Sequence, residues 1–100
     1  MYGLTDIEHQ ALLRLFADEE HLQRVILYGS RAKGTYRPFS DVDITLDGEL
    51  LTEADVSRIA MKIDDLLLPY QFDISRLATL HNPALLDHIN RRGIVMYQTD

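Results

Sequence analysis

The sequence predicts one small α/β domain, a mixed β-sheet with helices packed on it. Three observations carry that prediction. An unbroken apolar run, Val25-Ile26-Leu27-Tyr28, reads as a buried strand. Asp41-Val42-Asp43-Ile44-Thr45-Leu46 alternates strictly, as a strand with one buried face does. Between and around these lie stretches with apolar residues at helical spacing. One hundred residues suit a single domain, residues 1–100, with a modest core.

The elements follow in order. Thr5-Asp6-Ile7-Glu8 is a capping box, with Thr5 as N-cap and Glu8 reaching back. Ile7, Ala11, Leu12, Leu15 and Phe16 then predict an amphipathic helix to about Ala17. The charged stretch from Asp18 to Arg24 ends it and leads into the first strand. Gly29-Ser30 turns the chain into a short segment bearing Arg31 and Lys33, which Gly34 closes. A loop through Tyr36 and Pro38 leads to Ser40 and the second strand, whose alternation sends Val42, Ile44 and Leu46 to one face and both aspartates to the other.

Asp47-Gly48 signals a turn. Thr52-Glu53-Ala54-Asp55 starts a helix rather than a hairpin, because Val56, Ile59, Ala60, Ile63, Leu66 and Leu67 form an apolar stripe. That helix ends before Pro69. Gln71-Phe72-Asp73-Ile74-Ser75 alternates as a third strand, with Phe72 and Ile74 inward. The strand–helix–strand unit implies a right-handed crossover, with the third strand parallel to the second; if the two are neighbours, Asp73 comes out on the face of Asp41 and Asp43. Asn82-Pro83 caps a short helix whose buried side is Leu85, Leu86 and Ile89. Gly93 stops it before a last strand, Ile94-Val95-Met96-Tyr97. His9 and His21 read as surface residues, and His81 and His88 as structural ones.

Composition narrows the function. With no cysteine there is neither a disulfide framework nor a thiolate site. No signal peptide and no apolar run near the roughly 20 residues of a membrane span is visible, so an intracellular, cytoplasmic protein without a membrane partner is expected. A net charge of −6 argues against direct nucleic-acid binding. Charge is nevertheless segregated: Ser30 to Arg37 holds three cations and no acid, whereas Ser40 to Asp55 holds six acids and no cation. A cationic island beside carboxylates suits a metal–triphosphate ligand, although a solvated loop would show the same charges.

Three aspartates on one sheet face repel one another, by roughly 4 kcal/mol per pair at about 4 Å and an effective dielectric near 20. Such a cluster takes up protons or binds a cation, and its hard oxygens suit Mg²⁺ shared with substrate phosphates. Two ions roughly 3.5–4 Å apart could activate an attacking hydroxyl and stabilise leaving pyrophosphate. Gly29 lets backbone approach a phosphate, Ser30 adds a hydroxyl donor, and Arg31 and Lys33 can neutralise β- and γ-phosphate charge. A P-loop is excluded because Thr35-Tyr36 stands where Lys-Ser/Thr is required. An EF-hand is excluded because Leu46 and Thr52 occupy its glycine and glutamate positions.

Gly29-Ser30, ten intervening residues and then Asp41-x-Asp43 resembles the signature of the DNA polymerase beta-like nucleotidyltransferase superfamily. Gly29-Ser30-Arg31-Ala32-Lys33-Gly34 with Ser40-Asp41-Val42-Asp43-Ile44 is closer still to the minimal nucleotidyltransferases (MNT). Asp73 matches that family's third, strand-borne aspartate, and Lys33 replaces the more usual arginine. The resemblance implies an MntA-type antitoxin paired with a HEPN-domain ribonuclease toxin in a hetero-oligomer. It further implies AMP transfer from ATP to a tyrosine of the toxin. Gly29 and Ser30 would then hold the triphosphate, Asp41 and Asp43 would bind magnesium, and Asp73 would be a metal ligand or general base. A non-catalytic antitoxin acting by occlusion, and a small-molecule nucleotidyltransferase, are the competing expectations. Tyr36 and Phe39 are candidate partner contacts, or ordinary loop residues.

Overall fold

The computed structural model describes residues 1–99. Helix α1 spans Asp6–Ala17, strand β1 Arg24–Tyr28, the single-turn helix α2 Ser30–Lys33 and strand β2 Val42–Asp47. Helix α3 (Glu53–Asp65), strand β3 (Phe72–Arg76), a 3₁₀ turn (Leu77–Thr79), helix α4 (Pro83–Arg92) and strand β4 (Ile94–Gln98) follow. The sheet order is β3-β2-β1-β4. β1 is antiparallel to β2 and β4, while β2 and β3 are parallel, as the crossover through α3 requires.

Both longer helices begin on reciprocal caps. The Thr5 hydroxyl accepts from Glu8 N and the Glu8 carboxylate from Thr5 N; Thr52 and Asp55 repeat the arrangement at α3. Asn82 caps α4, with Pro83 at the position where a missing N–H costs nothing.

The sheet carries a core on each face. Val25, Leu27, Val42, Ile44 and Leu46 pack against Leu12, Leu15 and Phe16 of α1 and Ile59 and Ile63 of α3. On the opposite face Ile26 and Tyr28 meet Ile89 of α4, with Leu77, Leu80 and Leu85 around them. Asp43 is paired with Tyr28 in the β1–β2 ladder and with Asp73 in the β2–β3 ladder, so all three belong to this second, smaller face.

Two members of the expected apolar stripes are exposed. Ile7 is 83% exposed because it lies about 130° around α1 from the middle of the Leu12–Leu15–Phe16 stripe. Leu67 is 88% exposed: α3 ends at Asp65, and Leu67 takes a left-handed conformation (φ 55°) that swings it off the helix axis. Asp41 lies in the loop just ahead of β2 rather than in the strand. No described helix is long and apolar enough to cross a membrane.

Candidate active site

The second sheet face is where the predicted aspartates gather. Asp43 projects from β2 beside Asp73 of β3, and Asp41 stands one step upstream. Burial raises the Asp43 carboxyl above the usual range, and the Asp73 and Asp41 carboxylates push it further up. His88 pulls in the other direction. Burial likewise raises the Tyr28 phenol, and Asp73 and Asp43 add to that shift. The field of the three acids therefore converges on one patch at the top of β1 and β2.

The Gly29 turn faces this patch. Its backbone has φ 75° and ψ −153°, a region open only to glycine. A Cβ there would run into the Asp43 carboxylate. The position is glycine because the chain must turn sharply there and pass against an acid.

The two cations assigned to phosphate part company. Lys33 is exposed and lines a cleft with α4. Arg31 is only 2% exposed and is turned inward. Its Nε and Nη2 donate to Ser40 O (3.2 and 2.8 Å) and its Nη1 to Tyr2 O (2.8 Å). The guanidinium also stacks between Tyr36 and Tyr70, at 5.2 and 4.8 Å from the ring centroids. The expectation that Arg31 neutralises phosphate is therefore corrected. Its donors already hold Ser40, the residue before Asp41, so it fixes the loop that presents the first aspartate.

His88, a structural residue on sequence grounds, packs directly against the site. Its Nε2 accepts from Gly29 N at 3.0 Å, and its ring meets Tyr28 edge-on at 6.2 Å. Only the return of α4 over β1 brings it in, a contact across 59 positions that local spacing does not encode. Local spacing gives Asp87, Arg91 and Arg92 no role for the same reason.

The donor set is all carboxylate oxygen, which suits a hard divalent cation such as Mg²⁺. Among the described residues no three such groups form a ready-made cage. Magnesium commonly takes one or two protein carboxylates and completes its shell with phosphates and water, so the residues present fit an ion that arrives with a nucleotide.

The sequence from residue 10 to residue 100 matches the family model described as polymerase beta, nucleotidyltransferase. The chain belongs to this nucleotidyltransferase family. Solved structures show the same fold. A toxin–antitoxin complex with AMP-PNP superposes with a TM-score of 0.71 at 24% identity, over 91% of this chain and 73% of that one. An MNT antitoxin complex with tri-AMPylated HEPN toxin from Shewanella oneidensis gives 0.68 at 19%, over 96% and 74%. The MntA–HepT toxin–antitoxin gives 0.66 at 20%, over 95% and 74%. No curated protein matches significantly. As a nucleotidyltransferase, the domain carries its acidic patch and its Gly29 turn on the sheet face covered by α4, away from α1 and α3.

Proposed function

We propose that this nucleotidyltransferase is a cytoplasmic antitoxin that moves AMP from ATP to a tyrosine of a HEPN ribonuclease partner and silences it. The observation that carries the reading is the Gly29 turn pressed against Asp43, with Asp73 beside it in register. Solved structures of this fold that hold AMP-PNP, or an AMPylated HEPN toxin, support the same reading.

In the proposed step the tyrosine oxygen attacks the α-phosphorus and forms a new P–O bond. The bond to the bridging oxygen of the β-phosphate breaks, and pyrophosphate leaves. Asp73 is exposed and so can accept the phenolic proton or serve as a ligand. Asp41 and Asp43 would hold magnesium, which when bound neutralises phosphate charge. Gly29 and Ser30 hold the triphosphate beside them. Tyr36 and Phe39, the latter 87% exposed, border the loop ahead of Asp41 and would face the partner.

Incubation with the HEPN partner, Mg²⁺ and ATP labelled at the α-phosphate tests the proposal. Label on the partner that vanishes with Asp41→Ala/Asp43→Ala supports transfer. Neutralisation of the ribonuclease without label, unchanged in the variant, overturns it in favour of occlusion.

A further inference from the structure

Helix α4 and the α2 segment enclose a cleft of about 520 Å³ lined by Lys33, Ala84, Asp87, His88, Arg91 and Arg92. Its charge is lopsided. The one acid, Asp87, is already paired with Arg91, Oδ1 to Nε at 3.0 Å. Among the described residues neither Lys33 nor Arg92 has a carboxylate within ion-pair distance. In a chain of net charge −6, two uncompensated cations lining one cleft mark it as a place for an anion.

The cleft adjoins the Gly29 turn. His88 lines it and also accepts from Gly29 N, while Lys33 closes the helix that Gly29 begins. An extended anion could therefore reach from the Gly29 turn into the cleft.

We propose that α4 forms the second wall of the phosphate site, Arg92 acting with Lys33 to hold the β- and γ-phosphates of a nucleoside triphosphate. This rests on the nucleotidyl-transfer reading and names a residue outside the turn for the leaving group. Arg92 suits the task because its planar guanidinium can engage two phosphate oxygens at once. The cations draw the tail away from Asp43 and Asp73, which leaves the α-phosphorus at the carboxylates and pyrophosphate in the cleft.

Calorimetric titration of the whole chain with a non-hydrolysable ATP analogue, inorganic pyrophosphate and AMP tests this, each in Mg²⁺. Arg92→Ala should weaken the analogue and pyrophosphate about tenfold, the loss expected for one charge-assisted phosphate contact, and AMP less than twofold. Arg92→Lys should recover part of that loss. Arg14→Ala, which removes an exposed cation from the last turn of α1, should change none of the three. Unchanged pyrophosphate and analogue binding in Arg92→Ala overturns the assignment, as does an equal loss for AMP. The two readings fail separately. Labelled transfer with an indifferent Arg92 leaves the function standing and removes the cleft. Arg92-dependent pyrophosphate binding without transfer keeps the cleft and removes the function.

Discussion

Asp43 is held by three influences at once: partial burial, the Asp73 and Asp41 carboxylates, and the opposing His88. Its carboxyl is raised, so in the free domain it gives up its proton at a higher pH than an isolated aspartate. A group raised in the folded state favours folding while protonated, and its ionisation disfavours folding as pH rises through its range. Asp43→Asn should therefore not destabilise the metal-free domain at neutral pH, as thermal unfolding would show. The same change should lower AMP transfer about 10³-fold, since several kcal/mol of charge stabilisation is at stake. Full activity in Asp43→Asn would contradict the assignment. Gly29→Ala should cost about 1–3 kcal/mol of stability for its backbone conformation alone and should also weaken nucleotide binding. A variant as stable as the parent in chemical denaturation would show that the turn tolerates a Cβ.

At the scale of elements, the N-terminal end of α3 is fixed by a charge network. Asp55 accepts from Thr52 N, from His21 Nδ1 and from Arg58, at 2.9, 2.9 and 2.7 Å. The Thr52 backbone N–H, followed by His21 and Arg58, holds its carboxyl far below the usual carboxylate range. A depressed carboxyl stabilises the fold above its unfolded pKa and loses that contribution as pH falls. Asp55→Asn should thus melt lower than the parent at pH 7, with the gap narrowing as pH drops below about 4. A constant gap across that range would contradict the role.

Local signals made α1, α3 and β2 legible, because caps and alternation are written within a few residues of one another. The approach of α4 to Gly29 was not legible, and His88 and Arg92 were missed with it. Arg31 was misassigned because a motif position states charge but not direction. Only the fold reveals Ser40 O and Tyr2 O waiting for its donors.

For the molecule as a whole, the division of labour between the two sheet faces is the central feature. The larger core under α1 and α3 holds the sheet, while the smaller core of Ile26, Tyr28 and Ile89 holds α4 over the site. Ile89→Ala should lower stability by about 2–5 kcal/mol through the cavity it leaves, and should loosen the α4 wall of the cleft as well. Net charge sets a further expectation: at physiological salt a single-stranded oligonucleotide should bind far more weakly than ATP, because the cationic surface is one cleft rather than a stripe. The most direct measurement is a crystal structure of the chain grown with Mn²⁺ and a non-hydrolysable ATP analogue, with the metal located by its anomalous scattering. The expected result is an ion between the carboxylates of Asp41 and Asp43 and the phosphates, on the face that α4 covers. Nucleotide bound with no metal touching either aspartate, or metal bound elsewhere on the chain, would contradict it.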